Sequence, residues 1–331
     1  MRLALTAFTQ TGKELALSLS AALAAQGHAC AAAFPGDDGY ALASWTAARF
    51  ADSDGLIFVG AAGIAVRAIA PHIRDKFTDP AVVSVDELGK IAVPLLSGHV
   101  GGANDLARQI AALTVGTAAV STATDLHGLF AVDQWARERG MTLTDRALAK
   151  TVSAALLAGE TVGFASDLGH PCPPGLTAGP ADLGVWVTCH TAPGPFPRTL
   201  RLVPRCLTLG IGCRKGTGEA AIAAAVDRAM TGLDPLALAG AATIDLKAAE
   251  SGLLAFCRRR ALPLTTYSAA ELAAAEGAFT PSAFVQSVTG VDNVCERAAI
   301  LSGGGLLVPK QCEQGVTIAV ALTPTPKENH P

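Results

Sequence analysis

At 331 residues the chain is long enough for two or three domains, with a core that buries roughly three-quarters of its unfolded surface. A net charge of −3 excludes a general nucleic-acid binder, so any anionic ligand must meet locally clustered cations. No run reaches the ~20 apolar residues that span a bilayer, and eight cysteines without a C-x-x-C pair argue against structural zinc and read as reduced, cytosolic thiols.

Lys13 ahead of LALSLSAALAA imitates the start of an export signal. Glu14 adjoins that run, however, residues 2–8 read as a buried strand, and Leu15, Leu19 and Leu23 recur at helical spacing. A helix over 11–26 is therefore expected. Further β-prone runs at 28–34, 54–60, 81–86 and 117–121 alternate with helical patterns at 61–70, 103–114 and 129–139. Such alternation predicts an α/β fold with a mostly parallel sheet, whose ligands sit at the carboxyl ends of the strands.

Prolines crowd residues 168–205, with a short strand candidate at 185–187. Residues 136–205 read as a small middle segment with a Pro- and Gly-rich connection, or as a plain linker. A second α/β unit begins at 206–211. Its helix covers 219–230, a strand follows at 241–245, a helix near 249–260, a strand at 263–267 and a short helix at 268–275. Ser268 and Glu271 form a capping box there. Strands at 305–308 and 316–321 close the unit. The expected organisation is two α/β units, 1–135 and 206–325, joined by 136–205 and followed by a frayed tail, 326–331.

Four loops carry residues suited to chemistry. In the first, Gly60 and Gly63 turn a strand into a helix, and Arg67 lies one turn on. Free N–H groups at a helix start favour anions, although for this loop alone a tight turn with close strand–helix packing is the better reading. The second is SGHVGGAN, residues 97–104. Gly98, Gly101 and Gly102 permit a backbone whose N–H groups converge, and His99 belongs to the one residue type whose ordinary pKa, ~6.5, lies near neutral. A proton-transfer group beside N–H donors suits acyl transfer. The third, LGIGCRKGT, places Gly210, Gly212 and Gly216 at G-x-G-x-x-x-G spacing around Arg214 and Lys215, with Thr217 at the end and Asp245 closing the next strand. It imitates a dinucleotide fingerprint, but two cations inside the turn suit carboxylates at least as well. The fourth is VTGVDNVCER with VPK, residues 288–297 and 308–310. Cys295 reads as a packed thiol, and Glu296 as a functional acid or a surface charge. The remaining histidines have no metal-ligand spacing.

Taken together, LIFVGAAGIAVRAIAP, DPAVVSVDELGK, LLSGHVGGANDLA, LGIGCRKGT, TIDLKAAE, FVQSVTGVDNVCERAA and LLVPKQ resemble the cobalt-precorrin-5A hydrolase family of anaerobic cobalamin (vitamin B12) biosynthesis. The resemblance covers about residues 54–135 and 206–320, with the motifs in the family's order. It implies opening of a ring A δ-lactone by water, with release of a two-carbon fragment as acetaldehyde to give cobalt-precorrin-5B. It also implies no separate cofactor, since cobalt arrives with the substrate. The partner is the tetrapyrrole, with no nucleic acid and no membrane; a homodimer and transient contact with other enzymes of the pathway stay open.

On this reading the loop ends of the two units take the macrocycle between them, and Arg67, Arg214, Lys215, Lys247 and Lys310 meet its carboxylates. Gly60, Gly63, Gly210, Gly212, Gly216, Thr217 and Glu296 line the binding loops. His99 is the general base. The N–H groups of Gly101, Gly102 and Ala103, with Ser97 or Asn104, hold the oxyanion, and Asp86 or Asp125 orients the imidazole. Two other readings compete: a tetrapyrrole carrier, which would release no acetaldehyde, and an NAD(P)-dependent reductase, which would bind NAD(P)H.

Overall fold

Period-two alternation in the first apolar runs builds a sheet buried on both faces. In β1 (Arg2–Ala7), Leu3, Leu5 and Ala7 face one layer of helices. After α1 (Gln10–Ala25), β2 (Ala29–Ala32) and α2 (Leu42–Asp52) comes β3 (Gly55–Val59), which splits its residues: Ile57 and Val59 join that layer, whereas Leu56 and Phe58 face the other. The elements α3 (Ala62–Ile69), β4 (Ala81–Val85), β5 (Ile91–Leu96), α4 (Ala103–Thr114), β6 (Thr117–Ala118), α5 (Ala123–Leu126) and α6 (Val132–Glu138) complete this part. The computed structural model describes residues 1–75 and 78–323, without the side chains of Thr124 and Asp125, so the tail expected at 326–331 and the Asp125 carboxylate lie outside the described residues.

The chain folds as two compact units, Met1–Arg137 with Leu156–Ala158, and Glu138–Ala155 with the chain from Gly159 onward. The sheet of the first unit runs β2-β1-β3-β4-β5-β6. Neighbours are parallel except at β4 and β5, which pair antiparallel, Val85 opposite Ala92 and Val82 opposite Leu96. The cause is chain length: residues 86–90 alone link the two strands, whereas a parallel crossover needs about a dozen. Asp86 fixes the turn by accepting the N–H groups of Leu88, at 2.9 Å, and of Ile91. The loop after β5 therefore opens at the amino edge of β3 and β4, roughly 15 Å from the loop after β3 at the rise of a strand.

In the second unit β7 (Met141–Leu143), α7 (Arg146–Leu157), β8 (Gly163–Ser166), β9 (Leu183–Val187) and β10 (Arg198–Pro204) form a sheet of order β7-β10-β9-β8. The Pro-rich segment is thus a folded layer. Its third sheet, β13-β12-β11-β15-β14, is built from β11 (Leu207–Cys213), α8 (Glu219–Ala229), β12 (Leu238–Ile244), α9 (Ser251–Arg259), β13 (Leu264–Tyr267), α10 (Ala269–Ala273), α11 (Ala283–Thr289), α12 (Cys295–Gly303), β14 (Gly305–Glu313) and β15 (Val316–Leu322). Helices α8 and α9 cover one face, with Ile222, Val226, Leu253 and Phe256 in its core, and α12 covers the other. The middle sheet joins at the amino edge of β11 and β12. There Cys206 donates its N–H to Ala237 O (2.9 Å) and Arg201 bonds His190 O and Asp234. The loop after Cys213 lies at the opposite edge.

Candidate functional site

The loop after β5 starts on a strained residue. Ser97 adopts φ 56°, the left-handed region, which costs an L-residue about 1–2 kcal/mol. Its hydroxyl is buried and has no hydrogen-bond partner among the described residues. Gly102, at φ 86°, supplies the N-cap position of α4. Three N–H groups close the loop on itself: Gly102 donates to His99 O (3.1 Å), Ala103 to Ser97 O (3.2 Å) and Asn104 to Gly98 O (3.0 Å). The oxyanion set expected from Gly101, Gly102 and Ala103 is corrected accordingly, because two of its three donors are spent internally.

Other donors of the loop enter no hydrogen bond among the described residues, the Ser97 hydroxyl and the N–H groups of Gly98, Val100 and Gly101 among them. The Gly101 N–H enters no hydrogen bond among the described residues, and Gly101 presses on Ser97 so closely that a Cβ would lie 2.8 Å from Ser97 O. Gly98 makes room for Asn104, whose Oδ1 would stand 2.7 Å from a Cβ there. Asn104 is 2 % exposed and donates Nδ2 to Thr122 Oγ1 at 3.0 Å, so that amide nitrogen ties the residue before α5 to the loop and does not face a ligand. A side chain at Gly102 would meet the Arg137 guanidinium, which pairs with Asp105 at 2.8 Å. Asp105 also holds Arg108 at 3.1 Å. Sequence reasoning missed Arg137 and Asp105: the helical spacing of Gln134 and Arg137 is visible, but their partner lies a full helix away.

At the other edge Gly60 donates its N–H to Val85 O (2.7 Å) and accepts the Ser84 hydroxyl (3.2 Å), while a Cβ on it would meet the Phe8 ring at 2.9 Å. Arg67 is exposed and turns back onto Gly63 O at 3.3 Å. Burial alone would raise the Asp86 carboxyl, but the N–H groups of Ile91 and Leu88 outweigh it and hold the group below the ordinary carboxylate range. Asp86 is a hairpin clasp, and it cannot orient His99 from the opposite end of the sheet. The inverted β5 brings Gly60, Gly63, Arg67 and Asp86 together and separates them from Ser97, Gly98, His99, Gly101, Gly102 and Asn104.

In the second unit the glycines of LGIGCRKGT have packing duties. A Cβ on Gly210 would run into Cys295 O and lie 2.8 Å from Ala299 N, so this glycine seats α12 on β11. Gly212 accepts the Thr317 hydroxyl (3.3 Å) and touches that side chain. No pyrophosphate can approach a backbone so covered, which removes the physical basis of the dinucleotide reading and of Gly210 and Gly212 as ligand contacts. Gly216, at φ 75°, donates its N–H to Glu250 (3.0 Å), and Thr217 turns its hydroxyl onto Arg214 O (2.8 Å). Lys247 pairs with Glu250 at 3.0 Å, the side chains only 18 % and 14 % exposed. Its ammonium is therefore committed to holding the loop, a correction to its expected role. The Gly216 N–H and then Lys247 hold Glu250 below the ordinary carboxylate range. Arg214 and Lys215 are exposed and form no ion pair among the described residues.

Glu296 is 1 % exposed, neither a surface charge nor a ligand-facing acid. It accepts the Thr280 N–H (2.7 Å) and hydroxyl (3.1 Å), the Asn293 amide and the Lys310 N–H (2.7 Å). Those donors fill its lone pairs and pin the β14 bulge, where the register shifts between Val308 and Gln311, to α12. Burial pushes the Cys295 thiol up to about 11, which fits a packed thiol. Among the described residues no group of three or more His, Cys, Asp or Glu side chains could hold a metal ion, and no helix is long and apolar enough to cross a membrane.

The chain matches three family descriptions in succession: Cobalamin synthesis G N-terminal over 44–125, Cobalamin biosynthesis central region over 130–204, and Cobalamin synthesis G C-terminus over 207–321. It is 35 % identical over 312 residues to a cobalt-precorrin-5A hydrolase of Salmonella typhimurium, covering 87 % of each chain. A cobalt-precorrin-5A hydrolase of Priestia megaterium is 31 % identical, with 83 % of this chain and 80 % of that protein covered. Protein CobE of a Sinorhizobium species is 35 % identical over 35 % of this chain and 79 % of its own.

Proposed function

The chain belongs to the cobalt-precorrin-5A hydrolase family, and from that premise we propose that it opens the ring A δ-lactone of cobalt-precorrin-5A with water, releasing acetaldehyde and cobalt-precorrin-5B. The observation that carries the chemistry is that the Ser97 hydroxyl and the Gly101 N–H, each within two residues of His99, enter no hydrogen bond among the described residues. A water deprotonated by His99 attacks the lactone carbonyl, and those two donors take the oxyanion. Collapse of the tetrahedral intermediate breaks the C–O bond and frees a hydroxyl. Deprotonation of that hydroxyl drives retro-aldol-type C–C cleavage, with the conjugated macrocycle accepting the electron pair and then a proton. Preorganised donors of this kind are worth ~2.7–4 kcal/mol each in the barrier.

Arg214 and Lys215, exposed and without an ion pair among the described residues, are assigned to substrate carboxylates, with Lys247 and Glu250 positioning their loop. The cobalt is carried by the substrate. Eight free cysteines suit a reducing compartment, hence a cytoplasmic enzyme; homodimer formation and transient contact with other pathway enzymes belong to the same proposal. The test is incubation with cobalt-precorrin-5A while volatile aldehyde is trapped. One acetaldehyde per macrocycle is expected. Binding without release would leave a carrier.

A further inference from the structure

We infer that Leu246, Phe284 and Val288 form an apolar platform for one face of a carboxylate-rimmed corrinoid ring, at the same sheet edge as Arg214 and Lys215; this rests on the substrate class proposed above. The three side chains are 65 %, 70 % and 62 % exposed. Isolated apolar residues on a surface need no explanation, but three at one edge do.

Their placement follows from the packing of α11. Val285 points inward against the cluster of Ile244, Leu272, Val291 and Val294, beside Tyr267 and Ala269. Ile244 and Tyr267 are the last residues of β12 and β13, so α11 sits at the carboxyl edge of the third sheet. Phe284 and Val288, four residues apart, share one side of a single helical turn and point to solvent. Leu246 follows Ile244 by two residues, in the turn whose Lys247 bonds Glu250, which in turn holds Gly216. The carboxyl edge of the third sheet thus presents apolar surface and two cations that form no ion pair among the described residues. Gly210 under Cys295 fixes the start of α12 at this edge, and the network of Thr280 and Asn293 on Glu296 fixes the segment that carries α11.

The occupant has to be amphipathic in the same sense. A corrinoid is a flat macrocycle with apolar methyl-bearing faces and carboxylates at its rim, so it can cover the platform while its arms reach the cations. An apolar partner without negative charge would leave Arg214 and Lys215 unmatched. A nucleic acid would leave the platform unmatched.

The test uses the full chain and cobyrinic acid, a cobalt corrinoid rimmed with carboxylates, alongside acetaldehyde release from cobalt-precorrin-5A. Phe284→Ser combined with Val288→Ser should raise the Kd for cobyrinic acid and the KM for substrate about tenfold, equivalent to ~1.4 kcal/mol. The kcat should stay within about twofold, as expected when uniform binding is lost. Far-UV circular dichroism and Tm should not change, and Phe284→Leu should keep both constants near those of the native chain. Unchanged Kd and KM in the double variant would overturn the platform while leaving the hydrolase reading intact. So would a shift from dimer to monomer in sedimentation at unchanged Kd, which would assign the patch to self-association. If the native chain releases no acetaldehyde but loses cobyrinic acid with the double variant, the hydrolase reading fails and the platform stands.

Discussion

The link from β5 to α4 and the link from β11 to α8 look alike in sequence, each a strand, a run of glycines and a helix, yet their glycines do different work. In the first, Gly98 and Gly101 let the loop fold onto its own side chains, Asn104 and Ser97, and the closure leaves a strained serine with an uncommitted hydroxyl. In the second, Gly210 and Gly212 yield to α12 and to Thr317, and the exposed tip is held from outside by Glu250. A glycine pattern therefore says that something approaches the backbone closely, but not whether that something is a ligand or the protein itself. Under the proposed function the first loop polarises a bond and the second presents charge.

The comparison breaks most decisively at His99. His99→Ala should lower turnover ~10²–10⁴-fold if the first loop holds the acid–base group, measured as acetaldehyde released per enzyme; near-normal turnover would remove the chemistry from this edge. Ser97→Ala should lower kcat ~10²–10³-fold while leaving Tm level or higher, because the hydroxyl it removes is buried and makes no bond. A matched fall in Tm and activity would instead make Ser97 structural.

Gly210→Ala sharpens the other half. Its Cβ would collide with backbone atoms of α12, so urea unfolding should show a loss of about 3 kcal/mol, at the upper end for overpacking. Gly216→Ala, with nothing near its Cβ but φ 75°, should lose only about 1 kcal/mol. The smallest effect concerns the exposed tip. Glu250→Gln should raise KM a few-fold and flatten its increase with salt, by loosening the loop that carries Arg214 and Lys215. Because Glu250 titrates below the ordinary value of ~4.3, its contribution is full at neutral pH and disappears as pH falls through that lower value. A KM of the Glu250→Gln variant that tracks the native chain at every salt concentration would contradict this.

Much of this was legible from residues alone. Leu15, Leu19 and Leu23 announce α1, and Ser268 with Glu271 caps α10 as its spacing requires. The inversion of β5 is not among the expected features, although residues 86–90 are too few for a parallel crossover. An expectation of one parallel edge misses it by following strand and helix alternation without counting the link. The roles of Glu296 and Asn104 were not legible, because burial depends on partners such as Lys310 and Thr122 that a local pattern does not contain. Arg137 over Gly102 was hidden for the same reason.

Where water enters the substrate tests the central claim most directly. In a single turnover in H2(18)O, attack on the lactone carbonyl beside Ser97 and His99 predicts one labelled oxygen in the freed ring A carboxylate, with label and acetaldehyde appearing together ~10²–10⁴-fold more slowly with His99→Ala. Acetaldehyde released with that carboxylate unlabelled would contradict it.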